Sequence, residues 1–206
     1  MSVLGELQPN KVFKYFEEIC SIPHGSRNLQ QISDYLVDFA KAHELKYRQD
    51  EDLNVIIWKD GSKGYEASEP VILQGHMDMV AVKEADCDKD MEKEGLDLEI
   101  NGDYISAKGT SLGGDDGIAV AYTLAVLDDE EMAHPPIEAI FTVNEEIGML
   151  GAATIDVSDL KGRLFMNMDS EDEGVFTVSC AGGASVICKI PYETETVNAS
   201  VIEIKM

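Results

Sequence analysis

Strand-like apolar runs in this chain repeatedly break off into glycines and acidic residues, with helix-like segments between them. Val71-Ile72-Leu73 leads into Gln74-Gly75-His76-Met77-Asp78, and Leu96–Ser106 precedes Gly109-Thr110-Ser111-Leu112-Gly113-Gly114-Asp115-Asp116-Gly117. Phe141-Thr142-Val143 leads into Asn144-Glu145-Glu146-Ile147-Gly148, and Leu164–Met168 ends at Asp169. Strands alternating with helices predict α/β layering around a mostly parallel sheet. Open sheets of this kind build their sites at the C-terminal ends of the strands. The four clusters stand at such ends, so the fold itself would gather them.

The remaining segments fit the same plan. Phe13, Phe16, Ile19 and Cys20 share a helical face, as do Ile32, Leu36, Phe39 and Ala40, with SIPHGS as the loop between. Asn54–Trp58, Ile137–Val143 and Arg163–Met168 read as strands, and Ile118–Leu127 reads as an apolar helix. Asn101-Gly102-Asp103 marks a hairpin inside Leu96–Ser106. Beyond Ala184 the pattern changes to two strand-like pieces, Ser185–Ile190 and Ser200–Lys205. The predicted division is therefore residues 1–184 as one domain and 185–206 as the start of a second.

Charge narrows the partners. Among 206 residues, 40 are acidic and 16 basic, a net charge of −24. No basic face can be assembled against phosphate or anionic lipid, which argues against nucleic acid and membrane partners. An acidic surface confers solubility and also collects cations. Cys20, Cys87, Cys180 and Cys188 form neither CxxC pairs nor a disulfide framework. The N-terminal segment lacks the apolar run of a signal peptide, so a reducing cytoplasm is the expected location.

Taken singly, each cluster has an ordinary explanation. His76 and Asp78 can be neighbours on a surface, and acidic residues at a helix start act as caps and dipole partners. Read chemically, Asp78 can orient a metal-binding His76 through its second ring nitrogen. The glycines before Asp115 allow a sharp turn that presents a carboxylate to a cation. Glu145 and Glu146 repel each other unless a proton or cation intervenes; one can bind metal while the other acts as a base. Asp169 offers a further carboxylate. One imidazole with several carboxylates suits zinc, with manganese or cobalt as substitutes. Asp86, Asp88 and Asp90 have the opening spacing of a calcium loop, but Met91 and Asp97 occupy its glycine and glutamate positions. We read that stretch as a solvated loop. His24, His43 and His134 are read as structural, and no GxSxG nucleophile motif occurs.

In order and spacing, LQGHMDMV, GTSLGGDDGIA, TVNEEIGMLGA and MNMDSEDEG resemble the M20 metallopeptidases, and within them the aminoacyl-histidine dipeptidase (Xaa-His dipeptidase, peptidase D) branch. The resemblance runs from SIPHGS to SCAGG. It implies a three-layer α/β/α zinc-peptidase-like domain, incomplete in this chain, with a mostly parallel mixed sheet. It implies two divalent ions: His76 and Asp169 on the first, Asp115 bridging, and Glu146 on the second. Asp78 would orient His76, and Glu145 would be the general acid/base. The Asp115–Asp116 peptide bond would be cis. The implied substrate is a dipeptide, and the implied longer protein forms a homodimer through a lid domain.

One departure bears on completeness. Such enzymes bring a further metal histidine and a lid histidine from later in a longer chain, and His24, His43 and His134 match neither role. The expectation is that this chain alone holds an incomplete site. The alternatives at this stage are an amidase or deacylase of N-acyl amino acids on the same fold, and a non-catalytic acidic cation-binding or interaction module.

Overall fold

A computed structural model of the chain describes residues 2–170, 174–179, 182, 186–196 and 202. It divides into two units, Met1–Glu171 and Asp172–Met206. In the first unit, α1 (Asn10–Cys20) and α2 (Gln30–Ala42) are followed by β1 (Lys46–Gln49), β2 (Val55–Lys59) and β3 (Val71–His76). A hairpin of β4 (Leu98–Asn101) and β5 (Tyr104–Ala107) leads to α3 (Gly114–Leu127). Then come β6 (Ile137–Thr142), the short α4 (Leu150–Thr154) and β7 (Leu164–Asn167).

The five-stranded sheet has the order β1-β2-β6-β3-β7. β6 pairs in parallel with β3, and β3 with β7, while β2 runs antiparallel to both β1 and β6. Only β2 is therefore reversed, which agrees with the predicted mostly parallel mixed sheet. The largely apolar sequences of β2 and β6, broken by Lys59, Glu138 and Thr142, suit strands covered on both faces.

Alternation along those strands sorts the layers. Val55 and Ile57 of β2, with Ile137, Ala139 and Phe141 of β6, join the core formed with α1, α2 and α3. Three- and four-residue spacing puts Val12, Phe16, Ile19 and Cys20 of α1 on its buried side. α3 is apolar on nearly every side because it is sandwiched between α1 and the sheet. The opposite face carries a thinner layer. There Asn54 donates to the Gly151 carbonyl of α4 at 3.4 Å, and Glu138 accepts the Lys161 and Gly162 amides at 2.8–3.0 Å. Over β2 and β6 the sheet is thus covered on both faces, as the three-layer expectation requires, while the edge strand β7 is exposed.

Of the two expected strands, Ser185–Ile190 is not formed over residues 186–190, and Ser200–Lys205 lies outside the described residues apart from residue 202. Residues 186–196 carry no strand, and most of 197–206 lies outside the described residues. The expected boundary at 184/185 also falls outside them. An isolated two-stranded piece is marginal in water, since it lacks a face to bury against. No helix among the described residues is long and apolar enough to cross a membrane.

Candidate metal centre

The C-terminal ends of β3, β6 and β7 meet the start of α3. β3 ends on His76, which pairs in register with Thr142 at the end of β6. Glu145 and Glu146 follow the end of β6 by three and four residues, and Asp169 follows the end of β7 by two. α3 begins after Gly113, whose φ of 69° is left-handed; a β-carbon there would also lie 2.8 Å from the Met79 sulfur. Glycine is required on both counts. Asp115 and Asp116 then depart from helical dihedrals, and the bond between them is cis, as expected.

His76 is the hub. It is buried, and its Nε2 lies 3.0 Å from Asp115 Oδ1 and 3.9 Å from both Glu145 Oε2 and Asp169 Oδ1. Its Nδ1–H donates to the Asp78 backbone carbonyl at 2.9 Å and lies 3.5 Å from Asp78 Oδ1. The pair expected from sequence is therefore in place, although the nearer acceptor is Asp78's main chain. Asp78 is buried as well. Its Oδ2 accepts from the Ser26 hydroxyl at 2.7 Å, and its Oδ1 accepts the Glu145 amide at 2.9 Å.

Three overlapping groups have ligand atoms within 4.8 Å of one another: His76–Glu145–Asp169, His76–Asp115–Glu146 and Asp115–Asp116–Asp169. All four sequence-predicted ligands, His76, Asp115, Glu146 and Asp169, fall in these groups, together with Glu145. Asp116 is an addition. It is buried, and its Oδ2 accepts the His76 amide at 3.2 Å. Sequence reasoning weighed it only as a helix cap; its signal was adjacency to Asp115.

The electrostatics follow from crowding like charges. Burial disfavours the imidazolium of His76, but the Asp78 hydrogen bond and the charges of Asp116, Asp78 and Asp169 outweigh it, raising the pKa to about 10. Burial, together with neighbouring carboxylates, raises Asp116 to about 7 and Asp169 to about 6. Glu146 is raised by burial and by Asp115. Asp78 goes the other way: burial is overcome by hydrogen bonds from His76, the Glu145 amide and Ser26. A cluster that draws protons this strongly is one that a divalent cation can discharge. Its nitrogen and oxygen donors suit zinc or a comparable ion.

Other sequence candidates lie elsewhere. Asp90 and Asp97 of the calcium-like loop pair with Lys93 at 2.8 Å and Lys89 at 3.1 Å, and no ligand group forms there among the described residues. His24 and His134 are buried, with Nδ1 against the carbonyls of Ile22 and Pro135, and His43 faces Asp128 at 3.4 Å. None joins a ligand group among the described residues.

No protein-family model matches the chain. It is 39% identical over 199 residues to the cytosol non-specific dipeptidase of Escherichia coli, covering 97% of this chain and 41% of that protein. Its fold matches the crystal structure of aminoacylhistidine dipeptidase from Vibrio alginolyticus, with a TM-score of 0.80 and 40% identity over 83% of this chain and 35% of that one. A tripeptidase from Staphylococcus aureus, 23% identical with a TM-score of 0.66 over 82% of this chain and 45% of that one, shares the fold. The chain thus spans about two-fifths of the length of its curated relative.

Proposed function

The chain belongs to the M20 metallopeptidase family, and from that premise we propose that it forms the metal-holding part of a cytoplasmic dipeptidase of the aminoacyl-histidine type. In this reading residues 1–184 belong to the catalytic domain, and residues 185–206 open a lid domain through which the longer protein dimerises. His76 and Asp169 hold one divalent ion, Glu146 holds a second, and Asp115 is shared. Zinc is the expected metal, with manganese or cobalt able to substitute.

When bound, such ions polarise the scissile carbonyl and acidify a water molecule. The chain's own groups do the rest. Asp78 holds the Nδ1 side of His76, which fixes the ring so that Nε2 faces the carboxylates. Glu145 accepts the proton of the attacking water and returns it to the leaving amine. Its amide is tied to the same Asp78 carboxylate, so acid/base and imidazole share one anchor.

The observation that carries this proposal is the convergence of two strand ends and a helix start on the imidazole nitrogen that a third strand end presents, within 3.0–3.9 Å. The test is Glu145→Gln in a longer protein that contains this chain, assayed on an Xaa-His dipeptide with zinc. The expected loss is about 10²–10⁴-fold in rate with zinc still bound, the range of a positioned acid/base. An unchanged rate, or loss of the metal with the substitution, contradicts the assignment.

A further inference from the structure

Resting on that reading of the site, we propose that Ser26 is a positioning residue: its hydroxyl sets the rotation of the Asp78 carboxylate, and thereby the placement of both His76 and Glu145. The SIPHGS loop, which the metal chemistry leaves unused, is where this device lies. Its segment from His24 to Ser26 runs beside Met79 like an added strand. Met79 N–H donates to the His24 carbonyl at 3.2 Å, Ser26 N–H donates to the Met79 carbonyl at 3.1 Å, and Gly25 bridges Met79 in parallel. A β-carbon at Gly25 would lie 2.7 Å from that of Ala81, so the approach depends on glycine. One residue on, Arg27 N–H donates to Asn144 Oδ1 at 2.8 Å, which ties the same loop to the turn carrying Glu145.

Between these anchors, the Asp78 side chain is fully enclosed. Its two oxygens have different duties. Oδ1 takes the Glu145 amide at 2.9 Å and lies 3.5 Å from His76 Nδ1, while among the described residues Oδ2 takes only the Ser26 hydroxyl, at 2.7 Å. A carboxylate rotates easily about its last bond. With Ser26 holding one oxygen, the other stays aimed between the imidazole and the Glu145 amide. Without that hydroxyl, a buried oxygen is left unpaired, and the carboxylate can turn to divide its acceptors differently. Both site residues that depend on Asp78 then lose their shared reference.

The test is zinc affinity of the chelator-stripped 206-residue chain, titrated against a chromophoric chelator, with thermal melting of each metal-free variant alongside. Ser26→Ala is expected to weaken zinc about tenfold, the lower end for a partner behind a ligand, while Ser26→Thr stays within about threefold of wild type. Ser26→Val should match Ser26→Ala. Thr and Val share a shape, so their difference isolates the hydroxyl. Equal zinc affinity for the Thr and Val variants overturns the proposal. So does a Val or Ala variant that unfolds while Ser26→Thr melts like wild type, because the hydroxyl then serves the fold and not the site. Failure of the wild-type chain itself to bind zinc overturns the metal centre, and Ser26's role with it.

Discussion

At His76, one imidazole faces more carboxylates than it can pair with. Its Nδ1 is committed to Asp78, so Nε2 is left to answer Asp115, Glu145 and Asp169 together. A proton satisfies one of these groups, whereas a divalent ion satisfies several, which is why the cluster reads as a metal site. The account predicts that His76→Ala removes zinc beyond the 10–100-fold cost typical of losing a partner behind a ligand. Elemental analysis after dialysis checks this, and full retention of zinc by the variant contradicts it. At this scale the sequence was informative because three of the candidate ligands, His76, Glu146 and Asp169, follow recognisable apolar runs, and Asp115 follows a glycine-rich turn. Ser26 and Asp116 were not legible, for different reasons. A serine in a turn-rich loop carries no pattern, and its contact with Asp78 spans 52 positions. Asp116 was visible but indistinguishable from a cap, since only the tertiary contact with the His76 amide gives it another role.

Among the elements, α3 does most to shape the centre, because its entry turn aims Asp115. Gly113→Ala is predicted to destabilise the fold by at least about 1–2 kcal/mol, the cost of a left-handed backbone for a residue with a β-carbon. Overlap with the Met79 sulfur adds to that. A lowered urea midpoint would bear this out, and an unchanged midpoint would contradict it. The other end of α3 docks the helices. Asp128, its C-cap, pairs with Lys11 of α1 at 3.1 Å and faces His43 beyond α2 at 3.4 Å. Burial opposes ionisation of Asp128, but hydrogen bonds from Lys11 and Tyr15 and the charge of Lys11 hold its pKa below the usual carboxylate range. Because the folded value lies below the unfolded one, its contribution is fully present above about pH 4 and disappears as pH falls through the folded value. Asp128→Asn should therefore cost up to about 1 kcal/mol at neutral pH. That gap from wild type should narrow as pH falls below about 4, and a gap that is constant with pH contradicts it. Elements with strong periodicity or β-branched runs were legible. β1 was not, because Lys46-Tyr47-Arg48-Gln49 is a polar edge strand that shows no alternation and is specified by its antiparallel register with β2. The five-residue α4 is too short for any helical period to register.

Across the whole molecule, a net charge of −24 is tolerable at the surface but costly where acidic groups are brought together out of water. The fold nevertheless collects five carboxylates around His76, while the acidic loop near Asp90 pairs Asp90 and Asp97 with its own lysines. That contrast separates a site from a merely acidic surface, and composition alone could not draw it. The fold class was legible because strand and helix periods alternate along the chain. The Escherichia coli dipeptidase that the chain matches is more than twice as long, and within this chain His76 is the histidine that joins the candidate metal centre among the described residues. Anomalous X-ray scattering at the zinc edge, from crystals of the zinc-treated protein, tests that centre most directly. The account predicts a zinc peak at bonding distance, roughly 2.0–2.2 Å, from His76 Nε2 and from carboxylates of Asp115 and Asp169. Zinc confined to other surface carboxylates, or absent from His76 altogether, would contradict it.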